Sequence, residues 1–270
     1  MNDMADLRCL DSHLHLQDPR LAAIRDDVLD RAAAVGVVRM FCNATTEADW
    51  PEVLRLASAS PAVLPFLGIH PWHAHTASAD WEKRLAAILE TTRCGIGEIG
   101  LDGKCLVPLE RQEEIFVRHL QLAIRFGRPL SLHCLGCWGR LLELLEHQAK
   151  VAALPPFMIH SFSGSREIMH RLVRIGGRIS FSAGLADRRR ERLRRVFIET
   201  PLDRILLETD APDQLPPALR TAATTPPVNE PANILPLYRE AAELRHINLQ
   251  DFTHRIWNNG TIYADSLLPR

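Results

Sequence analysis

The fold of this 270-residue chain is most constrained by an alternation of short apolar segments with longer amphipathic ones. The apolar segments number eight: "RCLDSHLH", "VVRMFCNA", "AVLPFLGIHP", "CGIGEIGLD", "RPLSLHC", "PFMIHSFSG", "GRISFSAG" and "RILLETDAP". Between them, apolar residues recur at helical spacing, as Leu21, Ile24 and Val28 do within 21–35. Eight strands alternating with helices over roughly 250 residues predict an α/β fold, a (β/α)8 TIM barrel, with residues 1–270 as one domain.

The same spacing predicts helices in the linking segments. One follows the second strand in "TTEADWPEVLRLASAS", and others cover 81–90, 110–126, 138–148, 165–175 and 188–199. Gly36, Gly127 and Gly176 are placed to end helices, and Ser165 is placed to begin one. The Pro-rich segment 212–231 predicts a loop over the C-terminal mouth of the barrel, followed by a C-terminal extension of at most two helices.

Composition limits the function classes. A net charge of -1, from 32 basic and 33 acidic residues, argues against coating nucleic acid through a general basic field and leaves a local positive groove open. The N-terminal residues lack a signal-peptide pattern, and no apolar run is long enough for a membrane span, so we expect a cytoplasmic protein. The six cysteines mostly lie within apolar segments, which favours reduced, buried thiols over disulfides.

Two histidines lie one residue apart in the first strand, in "DSHLH". His13 and His15 face the same side of that strand, because successive strand side chains alternate between faces. This spacing suits metal chelation. It equally suits two hydrogen-bonded polar residues at the end of a buried strand.

The residues at the ends of the other strands favour metal binding over a hydrogen-bonded histidine pair. Imidazoles and carboxylates fall at their C-terminal ends, and the full set is His13, His15, Glu98, His133, His160 and Asp210. Burying these groups together without a cation would be costly, and one zinc ion takes only three or four protein ligands. The set therefore predicts two divalent ions bridged by Glu98. Nitrogen and carboxylate donors fit Zn²⁺, Mn²⁺, Fe²⁺ or Mg²⁺ and do not choose among them.

Several motifs occur in an order that resembles the TatD family of metal-dependent hydrolases, within the amidohydrolase-like group. They run from about residue 8 to 260 and read "DSHLH", "GIHP", "GEIGLD", "LHC", "IHSFSG", "ETDAP" and "NEPANI". The resemblance implies that His13, His15 and Asp210 hold one metal, that His133 and His160 hold the other, and that Glu98 bridges them. It also implies removal of nucleotides from DNA or RNA ends with divalent metal.

The chain departs from the family pattern after the fifth strand. Many members have Arg-Asp there, where this chain has Leu135 and Gly136 in "HCLGCW". An arginine at this place would contact phosphate or carboxylate, so its loss weighs against nuclease activity and leaves the metal ligands intact.

Two residues have predicted roles in the reaction. Two metals would lower the pKa of a water molecule, and Asp210 would accept its proton, unless it serves as a ligand only. His70 in "GIHPWHAH" is expected to contact substrate, whereas His73 and His75 are expected to be solvated.

Two further motifs favour structural roles. Cys134 and Cys137 form a CxxC pattern without a second such pair, which favours ordinary thiols over a zinc or redox site. The run "DRRRERLRRVF" predicts the solvated face of a helix, although Arg188 or Arg189 in its first turn would be placed to steer a polyanion.

Three functions remain open. The leading one is a phosphodiesterase acting at single-stranded nucleic acid ends. The second is a hydrolase of C-N or acyl ester bonds, which the same metals would serve. The third is a non-catalytic binding barrel, which has no need for six converging ligands.

Overall fold

Eight parallel strands form the centre of the structure, a computed structural model that describes residues 7–219 and 228–268. The strands are β1 Cys9–Leu14, β2 Val37–Asn43, β3 Val63–Phe66, β4 Ile96–Asp102, β5 Leu130–Leu135, β6 Phe157–Ile159, β7 Arg178–Phe181 and β8 Ile205–Leu207. Each pairs with its sequence neighbour, continuously from β1 to β3 and from β4 to β8. This arrangement matches the eight predicted apolar segments.

Backbone hydrogen bonds close the two sheets into a barrel. Between β3 and β4, the amide of Leu67 donates to the carbonyl of Gly95 (3.0 Å), and that of Gly97 donates to Leu67 (3.1 Å). Between β8 and β1, the amide of Asp210 donates to His13 (3.0 Å) and that of His15 donates to Ala211 (2.7 Å). The predicted (β/α)8 barrel is therefore confirmed, and all the strands end at one mouth.

Helices surround the barrel in the predicted order. They are α1 Arg25–Ala34, α2 Trp50–Ala59, α3 Trp81–Thr91, α4 Leu109–Phe126, α5 Trp138–Val151, α6 Arg166–Arg174, α7 Glu191–Glu199, α8 Ile234–Leu244 and α9 Leu249–Tyr263. None of those in the described ranges has the length and apolar character needed to span a bilayer. Gly127 ends α4 in the left-handed region (φ +62°), where glycine is favoured, and the Ser165 side chain caps α6.

Two helices begin later than the sequence predicts. The segment 19–21 is a separate 3-10 turn, because the Asp18 side chain accepts a hydrogen bond from the Arg20 amide (2.8 Å). In the same way Asp187 accepts from the Arg189 amide (3.0 Å), so α7 begins only at Glu191. Arg188 and Arg189 therefore precede the helix and do not form its first turn. Such side-chain bonds to nearby amides compete with helix formation.

The C-terminal extension packs against the barrel. The Tyr238 hydroxyl of α8 donates to the carbonyl of Leu10 (2.9 Å), and the Tyr263 hydroxyl of α9 donates to that of Leu130 (2.8 Å). At Gly260 a Cβ atom would lie 2.3 Å from the Leu10 side chain, so only glycine lets α9 approach β1 this closely. The Pro-rich segment predicted as a loop lies partly outside the described residues, at 220–227.

Candidate metal centre

The six predicted ligand residues converge at the barrel mouth. His13 and Glu98 are on β1 and β4, and His133 is on β5. His15, His160 and Asp210 follow β1, β6 and β8. Parallel strands place these positions side by side, because their C-terminal ends share one face of the barrel.

One oxygen of Glu98 faces the histidines of the first strand. Glu98 Oε2 lies 3.3 Å from His13 Nε2 and 3.4 Å from His15 Nε2. Asp210 Oδ1 lies 3.7 and 3.6 Å from the same two nitrogens. Two imidazoles and two carboxylates thus surround one small volume.

The other oxygen of Glu98 faces a second group. Glu98 Oε1 lies 3.0 Å from His133 Nδ1 and 2.7 Å from His160 Nε2, and these two nitrogens are 3.0 Å apart. His70 Nε2 lies 3.4 Å from the same oxygen, so the residue expected to contact substrate also lies among the candidate ligands. The groups adjoin, since the His13 and His160 rings stack at 4.0 Å.

Each imidazole of the predicted set turns one nitrogen towards the cluster and the other towards a fixed partner. His15 Nδ1–H donates to the carbonyl of Asn43 (2.7 Å), which leaves Nε2 as the nitrogen that faces the two carboxylates. His13 Nδ1 lies 2.9 Å from the Ser131 hydroxyl. Metal-binding histidines have this arrangement, because the outer partner fixes the tautomer and the ring orientation.

Carboxylates lie beside the outer nitrogens of the two histidines of the second group. His133 Nε2 lies 3.2 Å from Asp102 Oδ2, and His160 Nδ1 lies 3.4 Å from Glu208 Oε1. Glu208 is fully buried and also accepts from the Ser161 amide (2.5 Å). The donor set therefore fits divalent metal in both its atoms and its outer partners.

The electrostatics of the cluster favour positive charge within it. Burial alone would raise the pKa of Glu98, but the charges of His160 and His70 hold it well below the ordinary value. Burial likewise opposes ionisation of Asp210, yet the hydrogen bond with His15 lowers its pKa to about 2. Both carboxylates are therefore anionic at neutral pH. Burial disfavours the charged form of His15, but Asp210 and Glu98 raise its pKa to about 9, so the site retains a cationic charge.

Sequence reasoning missed three residues that support the cluster. Asp102 lies in "GEIGLD" and Glu208 in "ETDAP", so both acids occur inside motifs that had already been identified. Gln214 donates through Nε2 to Asp210 Oδ2 (2.6 Å), and no sequence pattern marks it. Asp210 itself has φ +58°, a region unfavourable for a residue with a side chain, as occurs at functional sites.

A large exposed aromatic residue, Trp72, lies close to the cluster. Trp72 is 53% exposed, and its indole N–H donates to Asp102 Oδ2 (2.6 Å), the oxygen that also faces His133. The neighbouring His75 is exposed and His73 is half-buried. Neither belongs to a candidate metal cluster within the described ranges.

The segment that departs from the family pattern is at the rim of the mouth. Leu135 is 40% exposed, and Gly136 has φ +74°. A Cβ at Gly136 would lie 3.5 Å from the Lys104 side chain, so Lys104 packs beside the place of the absent Arg-Asp pair. Cys134 and Cys137 are free thiols, as are the other four cysteines.

A parallel eight-stranded barrel with imidazoles and carboxylates at its mouth defines the class as a metal-dependent barrel hydrolase. Residues 10–262 match the family model described as TatD related DNase, and the chain belongs to that family.

Relatives and solved structures agree with this assignment. The 3'-5' ssDNA/RNA exonuclease TatD of Escherichia fergusonii is 34% identical over 87% of this chain and 90% of its own length. The crystal structure of YjjV, a TatD homolog from Escherichia coli, superposes with a TM-score of 0.87 at 29% identity, covering 97% of this chain and 99% of that one. A TatD family hydrolase from Entamoeba histolytica shares the fold, with a TM-score of 0.82 at 19% identity over 95% and 98% of the two chains.

Proposed function

We propose that this protein is a divalent-metal-dependent exonuclease that removes nucleotides from the 3' ends of single-stranded DNA or RNA. The observation that carries the proposal is the position of Glu98, whose two oxygens face two different histidine groups. The activity printed for the Escherichia fergusonii relative supports the substrate class and the direction.

Two divalent ions would be held by the cluster. His13, His15 and Asp210 would hold the first, His133 and His160 the second, and Glu98 would bridge them. Mg²⁺, Mn²⁺ and Zn²⁺ all suit these donors. Bound there, such ions supply Lewis acidity that activates water and neutralises charge developing on a phosphoryl group.

Asp210 is the proposed proton acceptor. Although burial opposes ionisation, the hydrogen bond with His15 lowers its pKa to about 2, so the carboxylate is ionised throughout the neutral range. Its Oδ1 faces the first-strand histidines, and its Oδ2 is fixed by the Gln214 amide (2.6 Å). The carboxylate is therefore held in one orientation towards the centre of the mouth.

The exposed aromatic surface and the concave shape of the mouth also favour a single-stranded substrate. Trp72 presents an exposed indole beside the cluster, and base stacking on such a surface tolerates any sequence. An unpaired end can enter a concave mouth, whereas the interior of a duplex cannot. The buried His70 would lie against the substrate or would complete the second metal group.

The six free thiols suit the cytoplasm, where we propose that the protein acts.

The alternative substrate class is a C-N or acyl ester bond. The exposed apolar side chain of Leu135 favours it, because it replaces an arginine that would bind phosphate. The same cluster would serve either reaction, so substrate tests must decide between them.

Labelled strands provide the test. We expect the Mn²⁺-loaded protein to shorten a 5'-labelled single strand stepwise and to stop on addition of EDTA. Asp210→Asn should abolish cleavage, while Asp213→Asn, a matched change at an exposed residue paired with Arg20, should not. A metal-loaded protein that leaves single strands intact and hydrolyses an aminoacyl ester or a cyclic amide would contradict the nuclease proposal.

A further inference from the structure

An arginine-rich groove lies between α6 and α7. We define it by its basic residues, which are Arg166, Arg189, Arg190, Arg192 and Arg195; it is an open groove of about 600 Å³ that Glu191 and Glu199 also line. These residues come from the start of α6, the segment before α7 and the first half of α7. Helices in this fold run opposite to the strands, so helix starts are near the mouth.

Arg190 lies between the groove and the residues around the candidate metal centre. This arginine also lines a smaller cavity, of about 220 Å³, together with Gln214 and Asp187. Gln214 in turn donates to Asp210 Oδ2 (2.6 Å). Gly184 admits the guanidinium, since a Cβ there would lie 2.7 Å from Arg190 Nη1. Neighbouring residues thus link Asp210 to the groove by way of Gln214 and Arg190.

The groove retains uncompensated positive charge. Three of its arginines have acidic partners: Arg166 pairs with Glu199, Arg189 with Asp187 and Arg195 with Glu191. Arg190 and Arg192 form no ion pair within 4.0 Å in the part of the chain that the structure describes. Because the side chain of Arg189 is 86% exposed and exposed ion pairs are weak, its pairing would yield readily to phosphate.

A polyanion needs such a local surface on this chain. The formal net charge is only -1, so no general basic field would hold a strand against the protein. Guanidinium groups bind phosphate oxygens bidentately, which suits contacts to a nucleic acid backbone.

We propose that the arginine-rich groove is a subsite for the strand on the 5' side of the scissile bond, with Arg190 and Arg192 contacting its phosphates. The inference rests on the proposed exonuclease function, in which the 3' end occupies the mouth and the remaining strand must leave it. The groove would then set the preference for long over short substrates.

The test compares two substrates of different length. A single strand about 12 nucleotides long reaches beyond the mouth, whereas a dinucleotide reports on the mouth alone. The variant Arg190→Gln/Arg192→Gln should raise KM for the long strand severalfold with little change in kcat. The ratio of kcat/KM between long strand and dinucleotide should fall accordingly.

The salt dependence of binding measures how many phosphate contacts the double variant loses. Each phosphate contact on a single strand contributes about 0.7 to the slope of log affinity against log salt, so losing two should reduce the slope by about 1.4. The matched control is Arg125→Gln/Lys150→Gln, which removes the same charge from the last turns of α4 and α5, at the opposite end of the barrel. Arg190→Lys/Arg192→Lys should restore much of the slope.

The outcomes separate the two proposals. If the metal-loaded wild type cleaves neither substrate, the exonuclease function fails and this inference fails with it. If it cleaves both, but the Arg190→Gln/Arg192→Gln protein has the length preference and salt slope of the control, the groove is only a solvated surface and this inference alone is overturned. The melting temperature of each variant is compared with that of the wild type, and an unchanged value shows that the exposed substitutions have not altered folding.

Discussion

Replacing Asp102 by asparagine should weaken metal binding although Asp102 is not itself a proposed ligand. Its Oδ2 accepts from His133 Nε2 (3.2 Å) and from the Trp72 indole (2.6 Å), and its Oδ1 accepts from the Lys104 amide (2.7 Å). All three partners donate. An asparagine must turn its NH2 group towards at least one donor, because it has only one acceptor oxygen.

The tautomer of His133 makes this change costly. With Asp102 accepting at Nε2, the proton is on Nε2, and Nδ1 presents its lone pair to the cluster. An asparagine NH2 at that position favours the opposite tautomer, in which Nδ1 carries the proton and cannot bind metal. An asparagine oxygen there keeps the tautomer, but His133 loses the anionic partner that makes Nδ1 more basic. Losing such an outer partner costs about 10- to 100-fold in metal affinity, or about 1.4 to 2.7 kcal/mol.

Metal titration by calorimetry measures the change, with activity on single strands followed in parallel. Trp72→Phe is the matched control, because it removes one hydrogen bond to Asp102 and leaves the carboxylate facing His133. We expect the control to lose less than half as much metal-binding free energy as Asp102→Asn. Wild-type affinity for both ions in a folded Asp102→Asn protein would refute the reasoning.

Three further predictions concern the bridge, the rim and the core. Glu98→Ala should release both ions, whereas His160→Ala should weaken mainly one, and equal partial losses in elemental analysis would contradict the bridge. Trp72→Ala should raise KM for single strands by the equivalent of about 1 to 3 kcal/mol of base stacking, while Trp72→Phe keeps most of it. Burial lowers the pKa of His119 to about 3, so the folded state excludes a proton that the unfolded chain binds below about pH 6.5. Above about pH 6.5 the imidazole is neutral in both states, so it causes no loss of stability. Below that pH the free energy of unfolding falls by about 1.4 kcal/mol per pH unit towards pH 3. His119→Leu should flatten denaturant-derived stability over pH 6.5 to 4.5, and an unchanged slope would argue against this.

The barrel and its mouth could be predicted because both depend on repeated local patterns. Eight apolar segments at regular spacing suffice for the strands, and parallel strands necessarily bring their ends together. The convergence of His13, Glu98 and Asp210 therefore follows from their places at strand ends. Which oxygen of Glu98 faces which histidine depends on side-chain torsion angles, and no sequence pattern shows it.

The supporting residues could not be predicted from sequence for a different reason. Asp102 and Glu208 look like ordinary polar residues within motifs until their distances to His133 and His160 are known. Gln214 acts through a tertiary hydrogen bond with no local signal. The predicted starts of α1 and α7 are too early for a local reason. In each case an aspartate side chain accepts a hydrogen bond from a nearby backbone amide, in competition with the helix.

The central claim is that Glu98 bridges two divalent ions at the barrel mouth. Anomalous diffraction from crystals soaked in Mn²⁺ tests it most directly. We expect two peaks, one on the side of His13 and His15 and one on the side of His133 and His160, with the Glu98 carboxylate between them. A single peak not bound by Glu98, or none at full Mn²⁺ loading, would contradict it.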